Sequence, residues 1–312
     1  MYPAPSIVFF TTASGAGYGL LVFASLTSLL GLVPITAASG VILLAPALGL
    51  VGAGLLSSTL HLGHPERAWR AFSQWRSSWL SREGVAAVAT FVPALAMAWL
   101  WLTTERLVPV LAVATALLSL VTVYCTAMIY ASLKPIPRWH QPLVPPVYLA
   151  LGLATGSLLG LALTAWLGGI RTPPLVIGLL LLGTAWALKW RYWQTIDGAK
   201  PTATTADAIG LAERGPARLT EAPHTERNYI LNEMGFRVAR KHRAKLRTIA
   251  LAAGWAIPTA SLVLALAASP SLAPVILTLG AAATLLGTLV ERWLFFAEAE
   301  HLVMLYYGRD AV

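Results

Sequence analysis

The stretch HLGHPERAWRAFSQWRSSWLSREG, residues 61–84, holds two histidines, four arginines, two glutamates and three tryptophans. Uncharged, largely apolar runs flank it on both sides, at about 38–60 and 85–102. Runs of this length can cross a hydrocarbon core of roughly 30 Å as a helix. A charged, aromatic connector is therefore pinned between two membrane spans, and that pattern decides the fold.

Working outward, the same kind of apolar run recurs. Eight spans are expected, at about 10–33, 38–60, 85–102, 108–131, 143–168, 173–192, 248–268 and 273–296. The composition agrees: 57% of residues are hydrophobic and 11% charged, where a soluble domain carries about 25% charged residues. Mean hydropathy is +0.70. The fold class is an all-α integral membrane protein, an eight-transmembrane-helix bundle. The opening MYPAPSIVFF has no basic n-region and runs on into a full span, so no cleaved signal peptide is expected. The spans are rich in Gly, Ala, Ser and Thr, as in LGLATGSLLG at 151–160, which lets helix backbones approach closely.

The protein divides into residues 1–192, with six spans and the connector 61–84; a long loop, 193–247; and residues 248–312, with the last two spans and a tail. Of the 22 basic residues, all but Arg106 and Arg171 fall on the side that holds the N-terminus. That count assigns Lys189 and Arg191 to the long loop. The positive-inside rule places both termini, the connector and the long loop in the cytoplasm. The net charge of +9 follows from this asymmetry. It suits anionic lipid rather than nucleic acid, which is not expected as a partner.

Metal chemistry is bounded by the same count. The single cysteine, Cys125, excludes a disulfide framework, and it leaves this chain no thiolate set for zinc or an iron–sulfur cluster. The six histidines, His61, His64, His140, His224, His242 and His301, all fall at span ends or in loops. Bis-histidine haem needs paired histidines buried in facing helices, so neither haem nor another metal site is expected.

Within the connector, Pro65 is placed to start a short helix. Trp69, Phe72, Trp75 and Trp79 share one face, while Glu66, Arg67, Arg70, Ser73 and Ser77 share another; Arg76 sits at the edge. This reads as an amphipathic helix in the membrane interface. It would turn the chain back and bring His61 near Glu83, both where lipid meets water. Such a place suits a quinone, which partitions into lipid yet takes up two protons on reduction. Histidine titrates near neutral pH, and a desolvated glutamate is pushed toward it. His61 and Glu83 meet that need, with His64 in reserve. The same residues also suit a plain interface helix, and the pattern alone leaves both readings open.

Three further stretches stand out. KPIPRWHQPLVPP (134–146) has five prolines and reads as a stiff turn. It sets Arg138, Trp139 and His140 on the side of His61, as an aromatic anchor or as part of a quinone pocket. Near the end of the last span, Glu291 and Arg292 form an ionisable pair, either functional or an internal ion pair between helices. In the long loop, DGAKPTATTADAIGLAERGPARLTEAP reads as irregular. TERNYILNEMGFRVARKHRAKLRTIA reads as helical, with Tyr229, Ile230, Met234 and Val238 at helical spacing. It would lie on lipid or dock a soluble partner.

Taken together, LHLGHPERAWRAFSQWRSSWLSREG, VYCTAMIYASLKPIPRWHQP and GTLVERWLFF resemble the DMSO reductase membrane anchor subunits (DmsC type). The shared features are His-Leu-Gly at the end of span two, Leu-Ser-x-Glu before span three, span four with its following loop, and Gly287, Leu289, Arg292 and Phe295–Phe296 in the last span. Only about 195–245 falls outside the resemblance. It implies a quinone-binding anchor without haem in the bacterial inner membrane. Its partners would be an iron–sulfur electron-transfer subunit and a molybdopterin catalytic subunit. The family's quinone-site histidine and glutamate fall on His61 and Glu83. Around them the candidate quinone-binding residues are Gly63, His64, Arg67, Trp79 and Ser81, with Tyr130, Trp139 and Arg292 from other spans. The quinone would be ubiquinone or menaquinone.

The connector's cytoplasmic placement and the large loop resemble more closely the anchor of the cytoplasm-facing sulfite-oxidising branch (SoeC type). There electrons run from sulfite to quinone. An anchor that oxidises quinol for reduction of DMSO or another S- or N-oxide is the near alternative. A transporter is the alternative from another class, though it would want ionisable groups near mid-membrane. A purely structural tether is a further one.

Overall fold

The computed structural model describes residues 1–60, 62, 64–168, 172–217, 220, 221, 226, 228–235 and 242–312. Eight helices among them are long and apolar enough to cross a membrane: α1 (Pro5–Leu29), α2 (Ala37–Thr59), α3 (Trp79–Thr104), α4 (Pro109–Ala131), α5 (Val144–Ala165), α6 (Thr172–Gly198), α7 (Arg243–Ala267) and α8 (Ala273–Ala297). Their number and order match the sequence expectation.

Several ends differ from it. Helix α1 stops at Leu29, before a Gly31 in the left-handed region (φ 64°). Helix α3 begins at Trp79 rather than 85, so Trp79, Ser81 and Glu83 lie on the spanning helix and not in the connector. Helices α6 and α7 run past the point where charges begin. Hydropathy ends a span at its first charges, but here the charges are paired. Arg243 Nη1 reaches Asp197 at 3.1 Å, and Arg247 bridges Asp197 and Glu298, with Nη2 2.9 Å from Glu298 Oε2.

Helix α1 is the hub. It packs against α2, α4, α5 and α8, and most of its surface is buried. Bilayer lipid is as apolar as leucine, so helices associate through close packing rather than hydrophobic drive. Glycines make that packing possible where α1 crosses α5. A Cβ on Gly156 would stand 2.1 Å from the carbonyl carbon of Gly19. Gly156→Ala is therefore expected to destabilise the bundle by about 1–3 kcal/mol or more. Gly183→Ala, where a Cβ meets nothing within 4 Å, should be neutral. Thermal unfolding in detergent checks the pair, and equal midpoints would contradict this packing. Helix α7 carries one π-helical turn, Ala252–Ala256. It lies against α8, where a Cβ on Gly287 would come 2.2 Å from the Gly254 nitrogen.

Both termini and the long loop are knitted together on one side. Met1 donates to Ala299 O (2.6 Å) and Tyr2 N to Glu233 O (2.6 Å). Val312 pairs with Thr202 and Ala203, and Thr204 forms an isolated β-bridge with Ala311. The first part of the loop, read from sequence as irregular, holds a capped turn of helix at Thr205–Ala208. The second part has a short helix at Tyr229–Met234; Val238 lies outside the described residues.

At the start of the C-terminal 3-10 helix, Leu302–Tyr307, His301 Nδ1 accepts from Val303 N at 3.0 Å. Partial burial holds the pKa of His301 below its usual value. The folded state thus resists protonation, and stability present above about pH 6.5 is lost as pH falls from there toward the folded value. The hydrogen-exchange protection factors of Val303 to Tyr307, corrected for intrinsic exchange at each pH, should fall across that window. Constant protection factors would remove His301 as the cap.

Candidate functional site

The connector forms a 3-10 helix, Pro65–Gln74, where sequence spacing suggests an α-helix. With three residues per turn, Trp69, Phe72 and Trp75 align on one face, and all three are exposed. Trp79 leaves that face because α3 has already begun. The connector folds back over the first turns of α3. A Cβ on Gly84 would lie 3.2 Å from the Phe72 ring. Arg82 closes the junction: its Nε donates to Trp75 O (3.0 Å) and its Nη2 to Arg76 O (2.7 Å). Its guanidinium stands 4.2 Å over the Trp79 ring. Trp79 meets Tyr124 of α4 edge-on at 5.9 Å.

This junction sets a carboxylate just inside the bundle. Glu83 is only 5% exposed, and Ser81 beside it is also buried. The Thr126 hydroxyl of α4 donates to Glu83 Oε1. A buried carboxylate is costly unless hydrogen-bonded, and Thr126 supplies that bond. Thr122 continues the hydroxyl row and lies 3.1 Å from Thr90. On the outer surface of the same two helices Leu80, Val88, Val121 and Tyr124 are exposed. Glu83 thus sits behind an apolar, lipid-facing wall.

The remaining candidates separate into two groups. His64 and Arg67 are exposed and pair with Glu66, at 3.0 and 3.6 Å. Tyr130, Trp139 and Arg292 belong to a closed aromatic core between α4, α5 and α8. Tyr130 meets Trp139 at 5.2 Å and Tyr148 at 5.9 Å, and Trp139 stacks on Phe295 at 5.7 Å. Trp139 also donates to Phe295 O (2.9 Å), so it anchors the proline-rich turn inward rather than in the headgroups. Tyr130 lies one helical turn beyond Thr126 on α4, which ties this core to the Glu83 site. His61 and Gly63 lie outside the described residues.

Arg292 leads to a cluster that sequence reading only half saw. Its guanidinium lies 3.8 Å over the Tyr148 ring and pairs with Glu291, which also pairs with Lys189 of α6. All three are buried. Glu291 and Arg292 are thus an internal ion pair within α8, and the pair of Glu291 with Lys189 ties α8 to α6. Lys189, counted from sequence among the loop charges, lies instead inside the bundle. The available signal was its place within the expected span 173–192. Thr126 gave no sequence signal, because a threonine in a span ordinarily bonds only to its own helix backbone. Among the described residues no group of three or more His, Cys, Asp or Glu could hold a metal.

Known proteins place this sequence independently of its geometry. Residues 1–183 match the family model described as DMSO reductase anchor subunit (DmsC). The C subunit of the sulfite dehydrogenase of Allochromatium vinosum is 34% identical over 98% of this chain and 99% of its own length. The C component of the anaerobic dimethyl sulfoxide reductase of Escherichia coli K12 is 29% identical over 38% of this chain and 42% of its own. A match over more than half the chain, and a relative aligned along nearly all of it, leave one conclusion: this multi-pass membrane protein belongs to the DMSO reductase anchor subunit (DmsC) family.

Proposed function

We propose that this chain anchors a molybdenum-containing oxidoreductase to the bacterial cytoplasmic membrane and exchanges its electrons with quinone. An iron–sulfur partner would deliver or accept the electrons, and ubiquinone or menaquinone would dock where α3 and α4 face lipid. One observation carries the reading. Glu83 is a nearly enclosed carboxylate with a hydroxyl donor behind it and an apolar wall in front. A quinone needs such a wall for its tail and a protonatable group near its ring oxygen. Reduction to quinol takes two electrons from the partner and two protons, for which Glu83 and His61 are the candidate exchange groups. Trp79 and Ser81 flank Glu83 on the same turns.

The basic bias supports a cytoplasmic position for both termini, the connector and the catalytic partners. Loop 193–247, joined to both termini, is the natural docking surface for the iron–sulfur subunit. The full-length similarity to the C subunit of a sulfite dehydrogenase supports sulfite oxidation as the partner's reaction. Oxidation of sulfite to sulfate releases the two electrons that quinone accepts. Reduction of DMSO or another S- or N-oxide, with quinol as donor, is the second reading. It is favoured by the shorter match to a component of a dimethyl sulfoxide reductase.

The test is native purification with bound partners. Iron and molybdenum without a haem Soret band, and sulfite-dependent quinone reduction, are expected. DMSO-dependent quinol oxidation without sulfite activity would select the second reading. A Soret band, or a stable preparation with neither metal nor partner, would overturn the proposal.

A further inference from the structure

A carboxyl that trades protons must be satisfied with its proton and without it. Thr126 Oγ1 lies within donating reach of Glu83 Oε1 and 3.1 Å from the Thr122 carbonyl oxygen. A hydroxyl has one hydrogen and two acceptor lone pairs. With Glu83 ionised, Thr126 donates to the carboxylate. With Glu83 protonated, the carboxyl O–H donates to Thr126 Oγ1, and Thr126 turns its hydrogen to the Thr122 carbonyl. Only a hydroxyl rotor needs to move.

Behind Thr126 lies a cavity of about 20 Å³ between α1, α4, α5 and α8. That is room for about one water, which needs two to four polar partners. The lining provides them. Besides Thr126 it includes Thr155, Thr288, Tyr148 and Arg292. The Tyr148 hydroxyl and Arg292 Nη2 are buried, lie close enough to interact with each other, and have no other hydrogen-bond partner. Arg292 can donate to a water there, and that water can donate to Thr126 Oγ1.

The geometry points to Thr126, backed by an internal water held by Tyr148 and Arg292, as the positioning residue that keeps Glu83 satisfied in both protonation states. This rests on the quinone reading of Glu83. Other titratable groups surround the carboxyl. Tyr18 of α1, Cys125 and Tyr130 of α4 and Tyr148 of α5 are within electrostatic reach, and Arg82 precedes it on α3. Helix α2 has no titratable side chain, and Glu66, Arg67 and Arg70 of the connector are exposed. Thr126 is the one of these neighbours, among the described residues, that hydrogen-bonds to the carboxyl.

The experiment is quinone-linked turnover of the whole complex against pH. Thr126→Val should lower kcat about tenfold or more, displace the pH profile and leave the quinone KM nearly unchanged. Thr126→Ser should restore rate and profile. Gly15→Ala puts a methyl at the cavity wall, where the nearest atom to its Cβ is Gly152 Cα at 4.0 Å; it should displace the profile without touching Glu83. Glu83→Gln is measured alongside. If Glu83→Gln turns over normally, the quinone reading fails and this inference with it. If Glu83→Gln is inactive while Thr126→Val keeps the wild-type rate and profile, this inference alone is overturned. Failure of Thr126→Ser to restore the profile would also overturn it, and an unchanged profile in Gly15→Ala would remove the water.

Discussion

Glu291→Ala should leave little or no folded protein in the membrane. Glu291 pairs with both Lys189 and Arg292, and all three side chains are at most 2% exposed. An arginine does not give up its proton inside a protein. Without Glu291, two cations would face each other in a medium that screens them poorly. Removing one partner from a buried ion pair costs about 3–5 kcal/mol, a large share of a total stability of about 5–15 kcal/mol. Lys189→Met should be milder, because Arg292 still holds Glu291 and the methionine fills the space with apolar atoms. Membrane-extracted yield and thermal unfolding in detergent order the three proteins. The expected order is wild type, Lys189→Met, then Glu291→Ala. A wild-type yield and midpoint for Glu291→Ala would show that the cluster does not hold the helices.

Glu83→Gln should spare assembly but abolish most quinone-linked turnover. Glutamine keeps the size of the side chain and can still bond to Thr126, so the α3–α4 contact survives. It cannot carry a proton to or from a quinone oxygen. Loss of a positioned acid–base group typically costs about 10²–10⁴-fold in rate, and that is the expected drop. The partner's activity with an artificial electron acceptor or donor should stay at the wild-type level, because that assay bypasses the anchor. His61→Ala is expected to act in the same direction. A Glu83→Gln complex with normal quinone-linked rates would move proton exchange elsewhere.

Much of this molecule can be read in its sequence because a bilayer imposes a length. A run such as 38–60 has few ways to satisfy its backbone in lipid except as a helix, so the eight spans and their order are legible. Their ends are not, because hydropathy stops at charges. At Asp197, Arg243 and Arg247 the helices continue, since the charges neutralise one another across α6, α7 and α8. Lys189 was hidden for the same reason, as its partner Glu291 lies on a helix distant in sequence. Connector periodicity is visible, but residues spaced by three fit a 3-10 helix as well as an amphipathic α-helix. Only the structure assigns Trp79 to α3. Glu83 stands out because a connector that turns back on itself brings it near His61 at the membrane edge. Thr126 does not, because its role depends on which face of α4 meets α3.

The most direct measurement is titration of the purified complex with a fluorescent quinol analogue, in the wild type and in Glu83→Gln. Saturable binding at about one site per anchor is expected, competed by quinone and weakened at least about tenfold by the substitution. Equal binding to both proteins, or no saturable binding to either, would contradict a quinone site at the α3–α4 edge.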